Sequence, residues 1–274
     1  MIRLLLHIST RALGKRITLS MLKYFAYLIR KLSNTIHEIQ FKYEWNTEPT
    51  PEWFDHFCDQ YYLFRSSKNP YWAERGIFNL LVMKKDAAVL DLCSGDGFYS
   101  RHFYSAKAKR IVALDFDEAA VKHANKYNKA PNIEYLLSDI RINIPEGKFD
   151  NIFWDAGIAH FTTDEMKFIL NVIKNRSSDD GILSGYTIVE KESGMKSLKQ
   201  HKYEFKTKEE LKLFLEPYFN NIKVFETIYP DRTNLYFWAS DGILPFDISW
   251  EHLTETKKMN DPDPVENLGK ALFS

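Results

Sequence analysis

One junction constrains the fold of this chain more than any other. The apolar run Ala88-Val89-Leu90-Asp91-Leu92 passes into Cys93-Ser94-Gly95-Asp96-Gly97 and then into a segment carrying Phe98, Phe103 and Tyr104. Glycines between a strand and a helix permit positive φ and let the backbone approach a ligand closely, with the first amides of the helix directed at it. Around this junction, short apolar runs alternate with longer amphipathic ones. Ala87 to Leu92, Arg110 to Phe116, Ile133 to Leu137, Phe149 to Trp154 and Ile182 to Ile188 read as buried strands. Phe98 to Ala106, Glu118 to Tyr127 and Thr163 to Arg176 read as helices. That alternation implies parallel pairing through right-handed crossovers, hence a doubly wound α/β sheet. A helix at Lys208 to Pro217 then precedes Ile222 to Ile228 and Asn234 to Ser240, a hairpin turned at Pro230, Asp231 and Arg232.

Four regions follow from the patterning. Residues 1–44 form a basic helical arm: Arg3, Arg11, Lys15, Arg16, Lys23, Arg30 and Lys31 fall within the first 37 residues, which hold no carboxylate. The apolar run Ile17 to Ile29 is broken by Lys23 and is shorter than the roughly 20 residues that span a bilayer. An amphipathic helix lying on an anionic membrane surface or docked on a partner competes with a solvated helix packed on the main domain. Residues 45–85, with Trp45, Trp53, Phe54, Tyr61, Tyr62 and Trp72, read as an aromatic helical cap broken near Pro70. Residues 86–250 carry the sheet, and 251–274 are a charged tail with Pro262 and Pro264. Equal numbers of basic and acidic residues, 37 of each, argue against a surface that grips nucleic acid as a whole. Two cysteines, Cys58 and Cys93, supply neither a disulfide framework nor a zinc site, so a reducing, cytoplasmic setting without a structural metal is expected.

The glycine turn alone is weak evidence for a ligand. It gains force from Asp115, which ends the second strand 18 residues after Gly97, where a carboxylate can accept bonds from both ribose hydroxyls. Dinucleotides and S-adenosylmethionine share this layout, and charge separates them. A pyrophosphate on the turn would face Asp91 and Asp96, and like charges about 4 Å apart repel by about 1 kcal/mol in water and several at intermediate dielectric. The sulfonium and ammonium of S-adenosylmethionine turn the same carboxylates into attractive partners. Ser100 stands where a dinucleotide fingerprint places its third glycine.

From Asp86 to Ser240 the sequence resembles the class I S-adenosylmethionine-dependent methyltransferases. Val89-Leu90-Asp91-Leu92-Cys93-Ser94-Gly95-Asp96-Gly97 is similar to their first motif, with Cys93 where glycine is usual. Val112-Ala113-Leu114-Asp115-Phe116 resembles the second, whose acidic residue holds the ribose and whose next residue packs on adenine. Leu137-Ser138-Asp139-Ile140 is similar to the third, in which the carboxylate takes the adenine amino group and its neighbour covers the ring. Phe149-Asp150-Asn151-Ile152-Phe153-Trp154-Asp155 resembles the fourth strand, and Asn234 to Ala239 the reversed seventh. The resemblance implies a seven-stranded Rossmann-like sheet and S-adenosylmethionine as cofactor. It assigns the binding residues as Asp91, Cys93, Gly95, Asp96, Gly97, Asp115, Phe116, Asp139, Ile140, Trp154 and Asp155.

Each assignment has a plainer competitor. Asp91 and Asp139 are also suited to capping helices, and Cys93 to packing. His160, in the segment Gly157 to Phe161 after the fourth strand, is the candidate base that deprotonates the acceptor, or else a wall of its pocket. Tyr61, Tyr62, Arg65, Tyr71 and Arg75 are placed to close over the methionine moiety, or to form core. Trp154-Asp155-Ala156-Gly157 stands where many nucleic-acid amino methylases carry an Asn-Pro-Pro-Tyr type of motif. The expected reaction is therefore methyl transfer to an oxygen or nitrogen of a small-molecule or glycan-like acceptor. A nicotinamide oxidoreductase and a non-catalytic cofactor-binding subunit are the alternatives.

Overall fold

The computed structural model describes residues 15–45, 71–191, 193–229 and 232–245. The proposed cap residues Trp53, Tyr61, Tyr62 and Arg65, Glu192, the turn at Pro230 and Asp231, and the tail lie outside the described residues. Lys15–Trp45 is one 31-residue helix, α1. It falls in a different compact unit from the sheet and is described by itself. No helix among the described residues is long and apolar enough to cross a membrane.

The sheet unit opens with α2 (Tyr71–Val82), followed by β1 (Ala87–Leu92), a helical turn at Ser100–Tyr104 and β2 (Ala108–Asp115). Next come α3 (Glu118–Tyr127), β3 (Ile133–Leu137), β4 (Phe149–Asp155), a single 3-10 turn at Ile158–His160, α4 (Thr163–Arg176) and β5 (Ser177–Ile188). α5 (Lys208–Leu215), β6 (Asn221–Ile228) and β7 (Thr233–Ser240) complete it. The strand order is β3-β2-β1-β4-β5-β7-β6. β1 to β5 pair in parallel and β7 runs antiparallel to both β5 and β6. The helix expected over Lys208 to Pro217 stops at Leu215, and three other elements differ more. β2 begins at Ala108 and stops at Asp115, so Phe116 lies beyond the strand. β5 begins at Ser177, where its register against β4 is irregular. The expected α-helix after Gly97 is π-helical over Ser100–Tyr104, closed by the Ser105 N–H donating to Ser100 O (2.9 Å).

Alternation along the strands sends side chains into two apolar layers. Leu235, Phe237 and Ala239 of β7 join Leu90, Ile152 and Leu183 against Ile169 and Ile173 of α4 and Leu211 and Leu215 of α5. Tyr236 and Trp238 point the other way and pack with Val82, Tyr186, Phe225 and Leu244. Phe78 of α2 stacks on Tyr236 with ring centroids 4.2 Å apart. Polar bonds fix α2 on this face. Glu74 accepts from the hydroxyls of Tyr236 (2.8 Å), Thr227 (3.2 Å) and Tyr229. Asn79 donates to the Tyr104 hydroxyl (2.8 Å) and accepts from Ser184 Oγ (2.7 Å). The helix is therefore held in one rotational setting, and that setting presents Arg75 to the carboxyl ends of the strands.

Candidate active site

The cleft at the carboxyl ends of β1, β2 and β4 is built around three buried carboxylates. Asp91 ends nearly inaccessible on β1 and accepts from Ser100 Oγ on the π-helical turn. A helix with π geometry widens by one residue per turn, and here it carries the hydroxyl that meets this carboxylate. Burial pushes the Asp91 carboxyl up to about 7, and the neighbouring Asp155 and Asp115 charges push the same way, while the Ser100 bond and Arg75 oppose. Asp115 ends β2. Its Oδ2 accepts from Gly95 N–H (2.8 Å) and its Oδ1 from Asp117 N–H (2.9 Å), so the carboxylate is locked to the glycine turn. Burial raises its carboxyl above the ordinary range, and those two backbone bonds restrain the shift.

Asp155, at the end of β4, meets Arg75. Both the Nε and a terminal nitrogen of the guanidinium lie 2.8 Å from Asp155 Oδ2. Burial raises the Asp155 carboxyl and Arg75 pulls it back. Its Oδ1 is buried without a hydrogen-bond partner. The guanidinium also sits 4.7 Å from the ring centre of Tyr99 and 5.0 Å from that of Tyr186. Among the described residues, three buried carboxyl groups face the one buried guanidinium of Arg75, a balance short of positive charge that suits a cationic ligand and opposes a phosphate.

The turn itself departs from the glycine-rich pattern without changing shape. Cys93 takes φ 59°, Gly95 φ 55° and Gly97 φ 78°, so the cysteine adopts the left-handed conformation that glycine adopts freely. Burial raises the Cys93 thiol well above its ordinary value, consistent with packing and not with a thiolate nucleophile. Gly157 closes over it: a Cβ there would lie 2.8 Å from Cys93 Sγ and 3.0 Å from Trp154 Nε1.

The remaining expected residues divide. Phe116 is 71% exposed at the rim, free to cover a ligand. Asp96 caps the turn by accepting from Phe98 N–H (3.0 Å), and its carbonyl accepts from Asn128 Nδ2 (2.8 Å). Asp139 accepts from Arg141 N–H (2.9 Å) and pairs with that guanidinium, which holds its carboxyl below the ordinary range. Ile140 is buried beside it. Trp154 is wholly buried in the core, where it supports the turn from within. Tyr71 begins α2, and only the course of its backbone is described.

His160 does not stand alone. Its ring meets that of His201 edge to face, with centroids 4.9 Å apart. The loop carrying His201 is tied to the turn after β4, because Lys202 N–H and Tyr203 N–H both donate to Ala159 O (2.8 and 3.2 Å). His201 Nδ1 lies 2.5 Å from Glu204 Oε1, which also accepts from Ser197 N–H (2.8 Å). The Glu204 side chain is fully buried. Beside this pair is a cavity of about 90 Å³ over the ends of β4 and β5. Arg75, Tyr186, Thr187, Ser197, His201 and Arg232 line it, and the hydroxyls of Thr187 and Ser197 are buried there without a hydrogen-bond partner. The sequence offered one faint signal for the dyad, the three-residue spacing of His201 and Glu204.

A seven-stranded sheet in this order with its last strand reversed, a glycine turn after β1 and a carboxylate ending β2 define the class I methyltransferase architecture. Residues 89–181 match the family model described as "Methyltransferase domain". Residues 89–181 thus carry a methyltransferase domain within a sheet of class I methyltransferase fold. Among solved structures, the N-methyltransferase NodS from Bradyrhizobium japonicum WM9 in complex with S-adenosyl-L-homocysteine is 14% identical. That match covers 67% of this chain and 92% of NodS with a TM-score of 0.51. A candidate methyltransferase from Bacillus halodurans C-125 is also 14% identical, over 64% of this chain and 100% of its own length, with a TM-score of 0.51. These two share the fold.

Proposed function

We propose that this enzyme methylates an oxygen or nitrogen of a small polar or glycan-like acceptor seated in the cavity over β4 and β5. The observation that carries the reading is the pair of buried, unpartnered hydroxyls of Thr187 and Ser197 in a cavity that also receives His201 and two arginines. Such groups favour an acceptor able to hydrogen-bond them, since a buried polar group left without a partner costs about 1 to 3 kcal/mol. S-adenosylmethionine would be held at the buried carboxylates, by Asp115, Gly95 and Gly97 at its ribose, Asp91 at its ammonium, and Phe116 and Ile140 at its adenine. When bound, it supplies a methyl group already activated by the sulfonium. The protein's task is then alignment, which contributes about 7 to 11 kcal/mol in well-oriented reactions.

His201 takes the acceptor's proton at Nε2. Glu204 holds the other ring nitrogen in its protonated form and balances the imidazolium that results, and His160 walls the ring from the side. General bases of this kind contribute about 10²- to 10⁴-fold, so His201→Asn is expected to lower transfer by that factor with donor affinity unchanged. The assay follows labelled methyl from S-adenosylmethionine into fractions of a cell extract. Label in the small-molecule or glycan fraction supports the reading, and label confined to nucleic acid refutes it. An active His201→Asn beside an inactive His160→Asn would return the base role to His160. For the donor half, Asp115→Ala is expected to weaken S-adenosylmethionine binding by about 1 to 3 kcal/mol in calorimetry. Unchanged affinity would remove Asp115 from the ribose site.

A further inference from the structure

The most exposed apolar surface among the described residues is on α1. Leu22, Phe25, Ile29, Leu32, Ile36, Ile39 and Tyr43 are 45% to 80% exposed, and their spacing alternates three and four residues without a break. That is a strict seven-residue repeat over three heptads, the narrow seam by which one helix packs against another. Tyr24, Tyr27, Arg30, Asn34 and His37, on the opposite side, are partly buried. Lys31 and Glu38 are exposed as well, so the apolar stripe is one of the accessible faces of the helix.

We propose that α1 pairs through this seam with α1 of a second copy of the chain, forming a two-stranded coiled coil. Four observations favour a second helix over a lipid surface. First, the repeat has a period of 3.5 residues, which keeps a seam facing a supercoiled partner along its length, from Leu22 to Tyr43 about 32 Å. Second, at the centre of the seam Ile29 and Ile36 occupy one position and Leu32 the other, the arrangement that favours two parallel strands, with Leu22 and Tyr43 sharing the first position and Phe25 and Ile39 the second. Third, the flanking positions Ala26, Leu28, Ser33, Thr35 and Gln40 are uncharged, with Lys42 the exception at the end, so two copies meet without repulsion. Lys23 and Arg30, which would have to reach anionic headgroups beside the apolar face, lie roughly 130° to 150° round the helix from it, at 100° per residue. Fourth, the seam exposes on the order of 800 Å² per copy, which is what each partner of a standard interface buries. Met21 and Leu28 widen the stripe near its start and add to that area.

The test is light scattering on the full chain at micromolar concentration, paired with sedimentation in the presence and absence of vesicles rich in phosphatidylserine. Wild type is expected at twice the mass of one chain, and the double variant Ile29→Asp, Leu32→Asp at the mass of one. Both sites are solvent-facing, and retained helicity with unchanged S-adenosylmethionine binding would confirm that the variant is folded. A conservative Ile29→Leu variant is expected to stay dimeric. A monomeric wild type overturns the proposal, as does a dimer that survives the two aspartates. A monomer that sediments with the vesicles would overturn it too and make a lipid surface the occupant.

Discussion

Replacing Arg75 with methionine is expected to destabilise the sheet unit by about 3 to 5 kcal/mol, the cost of stranding one partner of a buried ion pair. Asp155 is 6% exposed and its Oδ1 already lacks a partner, so loss of the guanidinium leaves a whole carboxylate without its counter-charge in the interior. Changing both residues, Arg75→Met with Asp155→Leu, should recover most of the loss, because apolar replacements of a buried pair are often close to neutral. The pH dependence distinguishes this cause from lost packing. Burial raises the Asp155 carboxyl in the folded state even with Arg75 present. Without Arg75 it rises further, so the folded form binds a proton that the unfolded chain has released. The deficit is therefore absent below the unfolded carboxyl value near 4 and grows as pH rises above it. Urea denaturation should show a smaller difference between variant and wild type at pH 5 than at pH 8. A deficit equal at both would assign the effect to packing.

Gly97→Ala should cost about 2 to 5 kcal/mol, from two sources that add. The residue holds φ +78°, where a Cβ costs about 1 to 2 kcal/mol, and overpacking a filled site costs about 1 to 3. The new Cβ would lie 2.6 Å from the Tyr135 hydroxyl oxygen and 2.7 Å from Cε1 of the same ring. Tyr135 cannot simply swing aside, because its hydroxyl donates to Asn128 O (2.9 Å) and anchors the end of α3. Gly194→Ala serves as the comparison. That glycine has φ +70° and nothing within 4 Å of its Cβ position, so only the backbone cost applies. Thermal unfolding of the two variants should separate the terms, and donor binding should weaken in Gly97→Ala alone. Equal losses would mean that the turn yields to the methyl group.

The sheet was legible in the sequence because its cause is local. Leu90, Ile152 and Leu183 sit in short apolar runs, and Gly95, Asp115 and Asp155 mark the strand ends where a ligand would be met. The π-helical turn at Ser100–Tyr104 left no such mark: Phe98, Phe103 and Tyr104 fit an ordinary amphipathic helix equally well. The irregular start of β5 is similar, since Ser177, Ser178, Asp179 and Asp180 read as a polar loop. What was missed at the site is non-local. Arg75 and Asp155 are 80 residues apart, and Arg75 was one cation in an aromatic stretch with two competing readings. Glu204, in the run His201-Lys202-Tyr203-Glu204-Phe205-Lys206, looks like part of a solvated surface. Only the anchoring of its loop on Ala159 buries it. His160 was picked out because it follows β4 directly, whereas the folded chain sets a second imidazole, with its own carboxylate, against it.

Arg75 belongs to two compartments at once. One edge of its guanidinium neutralises Asp155 in the cleft proposed for the donor, while the same side chain walls the cavity proposed for the acceptor beside Tyr186. A coupling carried through this side chain would be reciprocal, each ligand altering the affinity of the other by an identical factor. Under that assignment donor and acceptor would not load independently, because one side chain contributed by α2 faces both sites.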